Sequence, residues 1–420
     1  MENNNQQQHR HLSRSEYREY EKKRHAERRK RWRRKRAINY LINGSLIAAA
    51  VGLVFLFDFL VSLQDSTPAE TPTKVVEQQT PDTSEEDMAQ ASFMVALPEK
   101  SYAFAGEPIT YQFLNLTGYN SLENIRFEVN TGGKGKVYED RWEYTPKKAE
   151  TVTFEFKAFN KNDKKICEGK TVIEVKEKSE KKSLTLLVIG DSTIEAGYET
   201  EKLLALAKED GYSLKLLGTQ TAPYLKDSDN RYEGYGGWSA DHYINKRVVG
   251  DSLNPFYNPT TRTFDFTYYM ENQWYTSVDC VCIQLGINDV FSATSDNELM
   301  KNYIPLYLKQ MDRIIENIHQ YDPNIKVVWN LVSPGSVNQE KFAIYSTMQT
   351  AERYKRNSFL ANLEIIKHVA ELKNVYVAPT NAALDTVKDM AGSGHGAVHP
   401  AIRGYQDIAT LLYGFIRAIN

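Results

Sequence analysis

The alternation of apolar and polar positions divides the chain into stretches of different kinds. Residues 38–63 are mostly apolar, and Leu46–Phe57 carries no charge. About 20 apolar residues are needed to cross a bilayer as a helix. The run is therefore predicted to span, with Asp58 near one interface and Asn39 and Asn43 near the other. An acid near a helix end is tolerated where one at mid-bilayer is costly. Residues 64–91 are rich in Pro, Thr, Ser, Glu and Gln, have little to bury, and are predicted to form a disordered stalk.

From 92 to 176 the pattern has period two. Ile109, Tyr111 and Phe113 mark one strand, and Ile125, Phe127 and Val129 a second. Val152, Phe154 and Phe156 mark a third, and Val172, Ile173 and Val175 a fourth. Turn residues such as Gly132–Gly133 and Asn160–Asp163 separate them. Such spacing predicts a small antiparallel β-sandwich, read as a spacer or accessory module. The charged run Glu174–Ser183 is predicted to be a solvated linker.

At Leu184 the period is lost. Leu184–Ile189 is continuously apolar, as a strand buried on both faces requires. Strand-like runs recur at Leu214–Leu217, Val278–Leu285, Ile325–Val332 and Val375–Ala378. Helical spacing appears at Glu199–Glu209, Asn297–Gln320, Ala351–Leu372 and Arg403–Ile419. Alternating strand and helix predicts a five-stranded parallel sheet with helices on both faces, an α/β fold of three α/β/α layers over 183–420. The long stretch 223–276 is left as loop, where function tends to sit.

Charge sharpens the N-terminal reading. Residues 1–36 hold fourteen Lys/Arg against five Asp/Glu, while the whole chain sums to −2. A basic arm could bind nucleic acid. Beside an apolar run it is better read as the flank that stays in the cytoplasm. Residues 1–37 are thus predicted to be a cytoplasmic tail, with the rest of the chain outside the cell and no nucleic-acid partner. The basic region is long for a cleaved signal, and no small-x-small site follows Leu63, so retention as an anchor is expected. Three cysteines, Cys167, Cys280 and Cys282, give no disulfide framework, and no spacing suggests zinc.

The candidate chemistry sits where strands end. The first strand runs into Gly190-Asp191-Ser192, and active sites of open parallel sheets lie at the carboxyl ends of strands. Ser192 at a helix start is either a capping residue or a nucleophile whose own N–H faces a developing oxyanion. Gly236-Gly237-Trp238 permits close backbone approach. The third strand runs into Gly286-Ile287-Asn288-Asp289, where an amide could donate to the same oxyanion. His399-Pro400 precedes the last helix, and Pro400 favours an extended His399. Each block alone is weak; their order gives them weight.

On these four blocks, Leu184–Asn420 resembles the SGNH hydrolases, a branch of the GDSL esterase/lipase superfamily. The resemblance implies a flavodoxin-like fold and acyl-ester chemistry without metal or organic cofactor. It implies Ser192 as nucleophile and His399 as base, with Ser192 N–H, Gly237 N–H and Asn288 as oxyanion donors and Asp191, Asp289 and Gly236 in support. Asn254–Asn258 with Phe264–Phe266 looks like a subgroup of bacterial surface and phage proteins. Loss of activity is then expected as pH falls through the imidazole titration, near 6.5 for an ordinary histidine. One position departs from the pattern. The family places Asp three residues before the His, and Gly396 stands there. A Ser–His dyad, an orienting acid from Asp385 or Asp389, His395 as the base, or a degenerate binding module all remain open. The expected substrate is an acylated carbohydrate or small ester, with O-acetyl groups foremost. Transfer to a wall polymer is the alternative to hydrolysis. Tyr232, Tyr235, Trp238, Tyr257 and Trp274 are candidates to stack on sugar rings.

Overall fold

The continuous apolar run becomes strand β1 (Ser183–Gly190), whose last five residues are all buried. The structure, a computed structural model, describes residues 94–177, 183–345, 348–391 and 396–420. Successive residues of a strand point to opposite faces. Leu184, Leu186 and Val188 accordingly belong to one apolar cluster, and Leu187 and Ile189 to another. This is why the run shows no alternation: both of its faces are covered.

Strands β2 (Ser213–Leu217), β3 (Gln220–Thr221), β4 (Arg231–Gly234), β5 (Cys280–Gln284), β6 (Lys326–Asn330) and β7 (Val375–Ala378) complete the sheet. β2, β5, β6 and β7 run parallel to β1 in the order β2-β1-β5-β6-β7. β2 covers β1 only as far as Leu187. Beyond it, β4 takes the same edge, with Glu233 opposite Ile189 and Gly234 opposite Gly190, and β3 pairs antiparallel with β4. The sheet is thus seven-stranded and mixed, where the sequence predicted five parallel strands. The difference lies in the stretch expected to be loop. Gly234 brings β4 so close to the chain after Ser192 that a Cβ would lie 2.5 Å from the Glu195 nitrogen.

The helices that matter here are α1 (Ser192–Glu195), α2 (Tyr198–Glu209), α3 (Ala240–Asn245), α4 (Phe266–Asn272), α5 (Ile287–Val290), α6 (Ile304–Tyr321), α7 (Ala351–Val369) and α8 (Ile402–Ile419). α2 and α8 pack on Leu186, Val188, Cys280, Cys282 and Val328. α6 and α7 pack on Leu187, Ile189, Val281, Ile283, Val327 and Trp329. The predicted helix 297–320 is interrupted by a π turn at Leu299–Tyr303.

The N-terminal β region forms a four-stranded and a three-stranded sheet that share one core, with Tyr111, Trp142, Phe154 and Phe156 inside. It is not antiparallel throughout, since Lys100–Phe104 runs parallel to Lys165–Lys176. That pairing carries the strand through Glu174–Lys176, which the sequence assigned to the linker. Ala382, Ala383 and Leu411 from the α/β layers enter the same core. Asn115 Nδ2 donates to the carbonyls of Asn381 (3.0 Å) and Leu384 (2.5 Å). The β region is therefore built into the α/β layers rather than hung beside them. Among the described residues no helix is long and apolar enough to cross a membrane. The predicted tail 1–37, span 38–63 and stalk 64–91 lie outside the described residues.

Candidate active site

Gly190 makes the turn from β1 to α1 possible, because a Cβ there would meet Ile194 Cγ1 at 2.3 Å. Asp191, not Ser192, caps α1: its Oδ1 accepts from Thr193 N (2.9 Å) and Thr193 Oγ1 (2.8 Å). Ser192 is the first helical residue and half-exposed. Its N–H therefore belongs to the first turn of α1, where backbone donors have no helical partner. Burial pushes the Asp191 carboxyl up to about 6, against the Thr193 bonds that favour its charge.

His399 meets Ser192 from the far end of the chain, with Nε2 2.7 Å from Ser192 Oγ. Ser192 can donate to Nε2 when the ring proton is on Nδ1. The histidine loop is anchored on both sides. Ala391 N donates to the His399 carbonyl (2.9 Å), Met390 bridges Pro400, and Ser336 N donates to the Ala397 carbonyl (2.8 Å). Asp385 accepts from Val387 N and Lys388 N, both at 3.0 Å, and Asp389 pairs with Arg403 at 3.6 Å. His395 lies outside the described residues.

The Gly-rich block is a tight turn in which Trp238 N donates to the Tyr235 carbonyl (3.2 Å). Its two glycines differ in what holds them. Gly237 has φ +75° with open space around it, so backbone conformation selects glycine. A Cβ on Gly236 would lie 2.8 Å from Glu195 Oε2, the end of a flexible side chain that can give way. The turn is held by the block after β5. Asn288 Nδ2 donates to the Trp238 carbonyl (2.9 Å), and Asp289 Oδ1 accepts from Ala240 N (2.9 Å) at the start of α3. Burial raises the Asp289 carboxyl to about 7, against the bond from Ala240. Ser192, His399, Gly236, Gly237, Asn288, Asp191 and Asp289 thus gather at one edge of the sheet, in bonded contact or one residue from it.

Two buried acids support this edge. Glu233, in β4, accepts from Tyr235 Oη (2.6 Å), Tyr269 Oη (2.9 Å), Thr219 N (2.6 Å) and Thr219 Oγ1 (2.9 Å). Burial still raises it to about 7. Glu199, at the start of α2, is raised by burial to about 8 and accepts from Gln284 Nε2 (3.1 Å). The same Gln284 amide donates to Thr193 Oγ1 (3.0 Å), and its oxygen accepts from Asn330 Nδ2 (2.9 Å). A hydrogen-bonded chain therefore runs under Ser192 from Asp191 to β6. The sequence reading missed it. The available signal was that Glu199 shares a helix face with Leu203, Leu206 and Ala207, all buried.

The proposed sugar-stacking aromatics are largely overturned. Tyr232, Tyr235 and Trp238 are 2%, 2% and 1% exposed, and Tyr235 and Trp238 stack on each other with centroids 4.3 Å apart. Trp274 is 90% exposed and follows α4, in the connection to β5. Tyr257 is half-buried in a short hairpin with Phe264.

Residues 188–406 match the GDSL-like Lipase/Acylhydrolase family. Solved structures to which part of this chain is similar include a Clostridium thermocellum family 3 carbohydrate esterase, at 19% identity and a TM-score of 0.38, covering 57% of this chain and 97% of that one. A carbohydrate acetylesterase family member from Sinorhizobium meliloti shows 13% identity and a TM-score of 0.35, covering 56% and 97%. An acetyl-xylooligosaccharide esterase from Geobacillus Stearmophilus shows 16% identity and a TM-score of 0.32, covering 56% and 94%. A search of curated proteins finds no match. With four ordered motif blocks converging on one edge and a family match over more than half of its length, this chain belongs to the GDSL-like lipase/acylhydrolase family and is a hydrolase of ester bonds.

Proposed function

We propose that this protein hydrolyses O-acetyl esters of a carbohydrate outside the cell, through a covalent Ser192 acyl-enzyme. The observation that carries the reading is the 2.7 Å contact between Ser192 Oγ and His399 Nε2. Ser192 attacks the ester carbonyl as its proton passes to His399. The imidazolium then returns that proton to the leaving sugar oxygen. Water repeats the sequence on the acyl-enzyme and releases acetate. The oxyanion is held by the N–H of Ser192, the N–H of Gly237 and Asn288. The Asn288 amide carries two N–H groups, one of which is on the Trp238 carbonyl, which leaves the second for the oxyanion.

Gly396 leaves no carboxylate at the position three residues before the base. The anchored histidine loop supports a Ser–His dyad, in which the backbone bonds of residues 390–400 set where the imidazole stands. The apolar run 38–63 and its basic flank support a single-pass anchor with the catalytic part outside.

The test is p-nitrophenyl acetate turnover by the full-length protein beside Ser192→Ala and His399→Ala. Turnover by the parent and background rates for both variants are expected. A parent that neither turns over the ester nor is labelled at Ser192 by a fluorophosphonate would sink the reading.

A further inference from the structure

The rim of the site carries two exposed groups with no role in the chemistry above. Glu195 lies three residues after Ser192, on the same face of α1, and is exposed. Its carboxylate stands against Gly236, beside the Gly237 donor. Partial desolvation raises its pKa, opposed by the Gly236 backbone. Among the described residues, no Lys or Arg pairs with it.

Tyr224 is 61% exposed, yet it is fixed. Its Oη donates to the Ala196 carbonyl (2.8 Å), at the end of α1, and its ring meets Tyr198 edge-on at 6.2 Å. With the phenol bonded to backbone, what Tyr224 offers to solvent is its ring. The loop that bears it is pinned to α2. Lys226 N and Asp227 N donate to Glu201 Oε1, both at 3.1 Å, and Asn230 Nδ2 donates to the Gly197 carbonyl (3.0 Å). α1 is a single turn, about 6 Å long, so the Tyr224 phenol is bonded at one end of the turn that begins with Ser192.

We propose that Tyr224 and Glu195 form a sugar subsite beside Ser192 that selects an uncharged pyranose ring. This rests on the esterase reading and names its substrate class. The apolar C–H face of the pyranose stacks on Tyr224, and a ring hydroxyl donates to the Glu195 carboxylate. A uronate or phosphorylated sugar is disfavoured, because its charge would face Glu195 with no cation between them. Since the Tyr224 ring is held before binding, little ordering cost is incurred on that side when the sugar arrives.

The experiment compares kcat/KM for an acetylated xylo-oligosaccharide, an acetylated polygalacturonate and p-nitrophenyl acetate, all on the full-length protein. The readout is the ratio of glycan to small-ester efficiency, in which a general disturbance of Ser192 cancels. The parent is expected to favour the neutral glycan over the polygalacturonate. Tyr224→Ala and Glu195→Gln are each expected to lower the neutral-glycan ratio about tenfold, the worth of one good contact, mainly through KM. Tyr224→Phe keeps the ring and loses the backbone tether, so its ratio should fall between those of the parent and Tyr224→Ala. Glu195→Lys should raise the polygalacturonate ratio. Ratios unchanged within about twofold in both Tyr224→Ala and Glu195→Gln overturn the subsite, since that is well under the effect of one lost contact. A parent active on p-nitrophenyl acetate but on neither glycan overturns the subsite and spares the esterase. A parent silent on all three overturns both.

Discussion

Ser192, Asn288 and His399 were legible as candidates through the order of their blocks, each at a strand end or beside a proline. Asn288 tests that reading most directly. Asn288→Ala is expected to lower p-nitrophenyl acetate turnover by about 10²–10³, the usual cost of one oxyanion donor. A loss no larger than that of a surface substitution would remove it from the oxyanion hole. Glu199 was illegible for the opposite reason: a glutamate in the first turn of a helix looks like an ordinary solvated residue, favoured there by the helix dipole. Its burial gives it a signature in stability. The folded-state pKa of about 8 lies above the ordinary 4.5, so between those values the folded state holds a proton that the unfolded state has lost. Stability from this group is present at low pH and is lost as pH rises through about 8. Glu199→Gln is therefore expected to gain on the parent in denaturation midpoint between pH 5 and pH 9. A constant difference across that range would show that Glu199 is ionised in the folded protein.

At the scale of elements, the five parallel strands and four long helices were legible because two-sided burial and helical spacing leave plain patterns. β4 was not, since Arg231–Gly234 is too short for periodicity and ends in glycine. What makes it a strand is tertiary: it completes the edge of β1 that β2 leaves open beyond Leu187. The glycines at this edge should respond differently to substitution. Gly190→Ala forces a Cβ onto Ile194 and should cost about 1–3 kcal/mol through overpacking. It should also lower turnover, because Ile194 and Ser192 share α1. Gly237→Ala meets no atom and should cost only the backbone strain of about 1–2 kcal/mol. Paired chemical denaturation and p-nitrophenyl acetate kinetics would separate the two. Equal activity loss in both would count against α1 as the route of the Gly190 effect.

At the scale of the molecule, the sequence showed two folded regions but not their shared core. Apart from Leu411 the shared residues are small or polar, Ala382, Ala383 and Asn115, and carry no periodic signal. Lys355 marks the same junction. It is 3% exposed, and its Nζ donates to Asn115 Oδ1 (3.2 Å). Burial lowers its pKa from 10.5 to about 7. Between those values the unfolded state binds the extra proton, so stability from this group rises with pH across the window. Lys355→Met should flatten that rise in denaturation midpoints measured from pH 7 to pH 10. A piece spanning 183–420 should melt below one spanning 92–420, because it exposes the face of α8 that carries Leu411. Equal melting temperatures would show the two regions to be energetically independent.

The junction also imposes an order of events. A ribosome releases the β region long before it makes residues 380–420, and domains ordinarily fold as they emerge. Here the β sheets lack Ala382, Ala383 and Leu411, the pieces that close their core, until those residues too have been made. The early-made half must wait with an apolar face uncovered. The wait ends when α8 arrives and its Leu411 completes a layer made well before it.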